Sequence, residues 1–467
     1  MKKIKRAACM AVAMICAVCS ITIYPKNVKA SDFWPEGPEV QSASAIVMEA
    51  STGTILYEKN SLDAHYPASI TKIMTTMLAL ENGNLSDTVT FSSDAVFKTE
   101  GSGIARDVDE QMTLEQCLYA VMLESANECA YAVAEHIGGT MENFVSMMNT
   151  KAAELGCQNT HFNNPHGLQD ENHYTCAYDM ALIAKAAWQN ETFRIITGTP
   201  SYMIPPTNKH SEETPLQNHN CMLHPYHTSK YVYENCVGGK TGYTDAANST
   251  LVTYAQKDGM TLICVVMNVQ SPGQWLDSRA LFDYCFDNFQ LLNIADNENR
   301  LSENGIDAGD FNTNQNFVEI DRSGAVVIPK TATFSDTVPT VDESTANGDI
   351  AGTINYTYAD RNVGSANIIK TGAKVEPFAF GNTDTVTEES TENAEGAQKT
   401  FRINFRVILR VILGIVVAGI LILLVIFGIS RIKIWQRRMS IQKKSKSPYK
   451  TIKPSKKWKR RRRRRRR

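Results

Sequence analysis

Residues 249–269 read STLVTYAQKDGMTLICVVMNV, and this stretch decides the fold. Its two apolar, β-branched runs, STLVTYA and MTLICVVMNV, meet across Lys257-Asp258-Gly259, so they predict a β-hairpin. Cys264 lies inside the second run and is expected as a buried free thiol. Working outward, residues 43–59 read strand, turn, strand, with Ala50-Ser51-Thr52-Gly53 as the turn. Between these ends the apolar period is 3.6. SITKIMTTMLALENG at 69–83 closes at Gly83 like a capped helix. Helical spacing also runs over 113–137, interrupted near Ser125, and over 141–155 and 178–188. Strands at both ends with helices between them predict the α/β class, a mixed sheet covered by helices, over residues 31–291. Short alternating runs such as VEIDRSGAVVIP then predict a small all-β domain over 292–381.

The formal net charge of −1 conceals a division. Residues 31–400 carry 19 Lys or Arg against all 49 acids, a balance of −30, and residues 431–467 carry 20 Lys or Arg and no acid. Such a split predicts two compartments. Lys2, Lys3, Lys5 and Arg6 precede an uncharged apolar run, and Val28-Lys29-Ala30 offers small residues for cleavage, so 1–30 reads as a signal peptide. The acidic, hydroxyl-rich residues 382–408 read as a stalk. Within 409–430, the stretch 411–429 is 19 residues without charge or proline, about 28 Å as a helix, and reads as one C-terminal transmembrane helix. The cations that follow place 431–467 in the cytoplasm and residues 31–400 outside the cell membrane. Arg402, Arg406 and Arg410 run against that rule but are outnumbered. The basic tail suits anionic lipid headgroups. No nucleic-acid partner is expected, since only Trp458 offers a stacking surface there. Eight cysteines remain beyond the leader, an even count that permits disulfides without revealing their pairing.

Three short motifs occur in order: Ser69-Ile70-Thr71-Lys72, Ser125-Ala126-Asn127 and Lys240-Thr241-Gly242. Each recurs elsewhere: SxxK at Ser440 and Ser447, SAN at Ser365, KTG at Lys370. Context separates the copies. Ser69 and Lys72 stand one turn apart at the start of a predicted helix, whose N–H groups and dipole favour an oxyanion beside Ser69. A serine needs a base to take its proton, and a lysine serves when it is neutral. Burial and a second cation both lower a lysine's pKa, and Lys240 is placed to be that cation. The tail copies sit among solvated cations. The second SAN and KTG lie too close together on one segment to form two walls of a cleft.

The segment Tyr66-Pro67-Ala68-Ser69-Ile70-Thr71-Lys72-Ile73-Met74-Thr75 resembles the nucleophile segment of low-molecular-mass penicillin-binding proteins, the D-alanyl-D-alanine carboxypeptidase family. Further matches follow in order: Glu100-Gly101-Ser102-Gly103, Met122-Leu123-Glu124-Ser125-Ala126-Asn127, Asn164-Pro165-His166-Gly167-Leu168, and Gly239-Lys240-Thr241-Gly242-Tyr243-Thr244. The resemblance implies the penicillin-binding protein and β-lactamase-like transpeptidase fold. It implies that Ser69 attacks the carbonyl between two terminal D-alanines, that Lys72 accepts its proton, and that Ser125 relays a proton. Asn127 would hold the substrate amide, Lys240 and Thr241 the terminal carboxylate. Gly242 would let the substrate backbone pass closely, and the N–H groups of Ser69 and Tyr243 would form the oxyanion hole. Peptidoglycan stem peptides and β-lactams are the implied partners, with no cofactor. Two departures stand out. Val108-Asp109-Glu110-Gln111 lacks the family's glycine, and a spanning segment replaces the family's usual surface-lying anchor helix.

His219, Cys221, His224 and His227 have the wrong order for common zinc spacings, so no metal is expected. His166 reads as a loop anchor, His65 as a surface residue, and Asp179 as a group that steadies its own helix. The alternatives to a carboxypeptidase are a β-lactamase, a D,D-endopeptidase or transpeptidase, and a non-catalytic β-lactam sensor. The first lacks a recognisable deacylating glutamate loop, and the last would not need the proton chemistry of an intact Ser69, Lys72 and Lys240.

Overall fold

The computed structural model describes residues 33–298 and 318–370. Strands β1 (Ser44–Glu49) and β2 (Ile55–Lys59) form the first hairpin. Two short ribbons follow, β3 (Thr88–Thr90) with β4 (Gln111–Thr113), and β5 (Ser201–Ile204) with β6 (Thr214–Gln217). Then come β7 (Cys236–Thr244), β8 (Asn248–Lys257) and β9 (Met260–Val269). The main sheet has the order β2-β1-β9-β8-β7. Every pair in it is antiparallel, so the sheet mixes strands from the two ends of the domain rather than strand directions. The β8–β9 hairpin turns through Asp258 and Gly259, both at positive φ (52° and 79°), which matches the right-handed twist of the flanking strands.

The near-continuous apolar character of β1, β8 and β9 has a simple cause: both faces of the sheet are covered. Ile46, Met48, Val252, Tyr254, Ile263 and Val265 join the core beneath the helices Lys72–Asn82, Asn127–Gly138 and Ala177–Trp188. Their neighbours Ala45, Val47, Leu251, Leu262, Cys264 and Val266 pack on the other side against Trp275, Phe282 and Cys285 of the helix Gly273–Asn288. At about 1.5–3 kcal/mol for each large side chain taken from water, this period-two division over two cores is the main force holding the sheet.

The helix Gly273–Asn288 did not stand out in the sequence. Its buried face mixes Trp275, Leu281 and Phe282 with Gln274, Asp277 and Ser278, which interrupts the apolar stripe. Asp277 earns its place by accepting from the N–H and the hydroxyl of Ser42, at 2.7 and 2.6 Å. This helix runs directly into β10 (Phe289–Asn293), which already belongs to the second sheet, so the boundary drawn at 291 falls inside that strand.

The second sheet adds β11 (Val318–Ile320), β12 (Ala325–Pro329), β13 (Val338–Asp342), β14 (Ile350–Tyr358) and β15 (Arg361–Lys370). Its order is β10-β12-β15-β14-β13, with β11 also on β15. Val326, Ile328, Ile354, Tyr356 and Val363 fill its own core. The second SAN copy is a piece of β15: Ala366 pairs with Ile354, and Asn367 Oδ1 accepts from Thr353 Oγ1 at 3.2 Å. The eight cysteines between Cys117 and Cys285 are all free, Cys264 among the buried ones. Among the described residues no helix is long and apolar enough to cross a membrane. The expected signal peptide, stalk, spanning segment and basic tail lie outside the described residues.

Candidate active site

Ser69 sits in a tight 3-10 turn, Ala68–Thr71, that leads into the α-helix Lys72–Asn82. The α-helix therefore starts three residues later than the apolar pattern indicated. The tighter winding has a use, because at three residues per turn positions i and i+3 stack directly. Lys72 Nζ lies 3.0 Å from Ser69 Oγ. The turn is pinned from beneath: Thr71 Oγ1 bonds His173 Nε2 at 2.8 Å, and Thr75 Oγ1 donates to Pro165 O at 2.6 Å.

Lys72 is fully buried and has two further partners, Asn127 Oδ1 and His166 O, each at 2.6 Å. A neutral amine fits these three neighbours: two N–H groups donate to the two carbonyl oxygens, and the lone pair accepts the Ser69 hydroxyl proton. Electrostatics favour that state. Burial pushes the Lys72 pKa well below its ordinary range, and the Lys240 cation pushes it further.

The opposite wall comes from a broken helix. A capping box of Thr113 and Gln116 starts the helix Leu114–Tyr119, which widens into a π-helical turn at Ala120–Glu124 and stops at Ser125 in the left-handed region (φ 62°). The helix Asn127–Gly138 begins after this kink. Asn127 is held by Glu100 O, which accepts from Nδ2 at 2.6 Å, and its backbone N–H donates to Ser102 O at 2.8 Å. Thus the Glu100-to-Gly103 segment buttresses the Ser125 loop, with Glu128 Oε1 accepting from Ile104 N at 2.6 Å. Asn127 serves Lys72 first; one amide N–H is left for a substrate. Ser125 Oγ is buried with no hydrogen-bond partner among the described residues. A buried hydroxyl left open, two residues before the Asn127 that contacts Lys72, is a natural place for a proton to pass.

The third wall is β7. Lys240 is 1 % exposed, its Nζ donates to Thr241 O at 2.9 Å, and burial lowers its pKa to about 7 against the opposing pull of the Glu124 carboxylate. Gly242 passes Ser69 so closely that a Cβ there would lie 2.9 Å from Ser69 N and 2.3 Å from Thr250 Oγ1. Thr250 Oγ1 in turn donates to Pro67 O at 2.9 Å, which ties β8 to the nucleophile turn. Thr241 is half-buried, and the exposed Tyr243 donates through its hydroxyl to Asp245 at 3.1 Å.

Several side chains sit differently from the sequence reading. His65 is no free surface group: it is half-buried, and its Nε2 lies 2.7 Å from Ser44 Oγ. Asp179 does not cap its own helix, where Cys176 Sγ accepts from Asp179 N. Its Oδ2 instead accepts from Gln158 N, Asn159 N and Thr160 Oγ1, anchoring the loop after Met141–Glu154. Within Val108–Gln111, the stretch without a glycine, Asp109 takes φ +63°, a conformation Asp tolerates better than most residues. His219 and Cys221 are engaged separately, His219 Nε2 with Glu124 at 2.9 Å and Cys221 Sγ with Tyr226 O at 3.3 Å. His166 anchors its loop through Nδ1, which accepts from Leu168 N at 3.2 Å. Its backbone carbonyl, the Lys72 partner, is invisible to any reading of side-chain types. The Glu124–His219 pair was likewise missed, although Glu124 stands next to Ser125 in the sequence.

Comparison with known proteins agrees with this geometry. The family model described as D-alanyl-D-alanine carboxypeptidase matches residues 31–271. The D-alanyl-D-alanine carboxypeptidase DacF of Bacillus subtilis is 35% identical over 295 residues, 62% of this chain and 72% of that protein. Among solved structures, the DD-transpeptidase of a Streptomyces strain is 32% identical, covers 54% of this chain and 100% of its own, and superposes with a TM-score of 0.50. A D-alanyl-D-alanine carboxypeptidase from Mycobacterium tuberculosis is 29% identical over 56% of this chain and 95% of its own, with the same TM-score. A buried lysine aimed at a serine at the head of a helix, on the transpeptidase fold of these relatives, accords with the family match: this chain belongs to the D-alanyl-D-alanine carboxypeptidase family.

Proposed function

We propose that this serine-type D-alanyl-D-alanine carboxypeptidase removes the terminal D-Ala from peptidoglycan stem peptides through an acyl-enzyme on Ser69. The observation that carries it is the contact of Lys72 Nζ with Ser69 Oγ at 3.0 Å, in a setting that favours the neutral amine. Lys72 takes the Ser69 proton as Oγ attacks the carbonyl of the penultimate D-Ala. Ser125, open and buried, passes a proton to the departing amino group. Lys240 and Thr241 receive the terminal carboxylate, and a β-lactam carboxylate takes the same place. The N–H groups of Ser69 and Tyr243 face the oxyanion, and Asn127 offers its free N–H to the substrate amide. Water then releases the shortened peptide and frees Ser69.

The setting of this chemistry is the outer face of the cell membrane. The acidic 31–400 region, the leader-like 1–30 and the apolar run 411–429 followed by cations support export and a single span. The basic residues 431–467 suit contact with anionic lipid on the inner side.

The test uses the full-length protein in detergent and its Ser69→Ala variant, with a fluorescent penicillin and a peptide ending in D-Ala-D-Ala. Stable labelling and D-Ala release, both lost in the variant, are expected. Rapid penicillin turnover would instead favour a β-lactamase, labelling without D-Ala release from any peptide a sensor, and labelling of the variant would remove Ser69 from the site.

A further inference from the structure

Beyond the end of β7 lies a cavity of about 400 Å³ walled by His65, Tyr66, Glu171, Tyr174, Ala246 and Ala247. No step of the reaction uses it. Its place follows from the chain: Tyr66 is three residues from Ser69, at most about 10 Å along the backbone. Ala246 and Ala247 form the turn that ends β7, four or five residues past Gly242, which itself lies against Ser69 N.

Three points along β7 give the substrate a direction. Lys240 takes the terminal carboxylate, Gly242 flanks the scissile carbonyl, and the strand then runs on towards the cavity. The acyl part of the stem peptide therefore points at it. The third stem residue has its Cα about 3.8 Å before that of the acylated D-Ala, and a four-carbon side chain reaches roughly 6 Å further. That reach equals the greatest separation the backbone allows between Ser69 and Tyr66 of the cavity wall, about 10 Å.

The walls are selective. Two tyrosines and three alanines, Ala64 with Ala246 and Ala247, suit an aliphatic chain, and Asn268 adds a neutral amide. Among the described residues lining it, Glu171 is the one formally charged side chain, and burial lowers the pKa of His65, which keeps that ring neutral near pH 7. We propose that this cavity is the subsite for the third residue of the stem peptide, and that Glu171 makes it favour a side chain ending in an ammonium group. The proposal rests on the carboxypeptidase reading above and adds a substrate preference to it.

The experiment compares two synthetic pentapeptides ending in D-Ala-D-Ala that differ at residue three, one with L-Lys and one with Nε-acetyl-L-Lys. D-Ala release is measured for the full-length protein and for Glu171→Gln, with fluorescent-penicillin labelling as a check that Ser69 is intact. Because Glu171 is exposed, the wild type is expected to favour the lysine peptide about three- to fivefold in kcat/KM at low salt, less at high salt. Glu171→Gln should bring the ratio to about one. Release from both peptides with no wild-type preference, or a preference that survives in Glu171→Gln, overturns the subsite and leaves the carboxypeptidase standing. Labelling without release from either peptide overturns the carboxypeptidase reading on which the subsite depends.

Discussion

Gly167 runs against the nucleophile turn so closely that a Cβ on it would lie 1.9 Å from the carbonyl oxygen of Ala68. It also holds φ +87°, in the left-handed region where a side chain is strained. Gly167→Ala must therefore push back the backbone that carries Ser69, at a cost of about 2–4 kcal/mol. Thermal unfolding should show a lower Tm, and penicillin labelling should slow by more than the unfolded fraction explains. A variant with native Tm and native labelling would show that the contact is slack.

Lys72 offers a sharper test of the proton acceptor. Arginine keeps the reach but stays protonated, so it cannot accept the serine proton. Lys72→Arg should acylate slower by about 10²–10⁴, the usual worth of a general base, and raising the pH should not restore it. Acylation rates with a chromogenic β-lactam at pH 7 and pH 9.5 decide this. Recovery in the arginine variant would mean that Lys72 acts as a fixed charge.

Much of this was legible in the sequence, for identifiable reasons. Strong periodicity located the β8–β9 hairpin and the helices that end at Asn82 and Glu154, because each packs one clear pattern against a core. Motif order and context picked Ser69, Lys72, Ser125, Asn127 and Lys240 from duplicated copies. The helix Gly273–Asn288 escaped because buried Gln274, Asp277 and Ser278 break its apolar stripe, and Asp277 is satisfied by Ser42, a tertiary partner that no local pattern encodes. The carbonyl of His166 escaped because every residue has one, and only the fold decides which carbonyl meets Lys72.

Glu124 links the Ser125 loop to the strand side of the cleft, and its charge should be visible in the pH profile. Its carboxylate accepts from Gln217 N at 2.6 Å, bonds His219 at 2.9 Å, and raises the pKa of Lys240, which burial holds down near 7. Acylation needs Lys72 neutral, so its rate should rise with pH through the depressed Lys72 pKa. It also needs Lys240 charged to hold the carboxylate, so the rate should fall above about 7. Glu124→Gln removes an anion that keeps Lys240 protonated, and the alkaline limb should move to lower pH. Second-order acylation constants from pH 5 to 10 test this; an unmoved limb, or one moved upward, refutes the link.

His173 makes the site sensitive to acid through stability rather than chemistry. Its Nδ1 accepts from Asn163 N at 2.9 Å, so the ring's one proton is on Nε2, which donates to Thr71 Oγ1 at 2.8 Å beneath Ser69. A second proton has no place there. Burial lowers both His173 and His166 from 6.5 to about 3. The unfolded chain therefore binds protons first. The stabilisation is fully present above about pH 6.5 and is lost as pH falls towards 3, with a limiting slope of about 1.4 kcal/mol per pH unit for each ring. His173→Gln should unfold more easily at pH 7.5, since it disturbs two hydrogen bonds, yet lose less stability than the wild type between pH 6.5 and 4. Urea unfolding at those three values compares the two losses. If the variant falls as steeply as the wild type, the acid sensitivity lies in the carboxylates and His173 has no part in it.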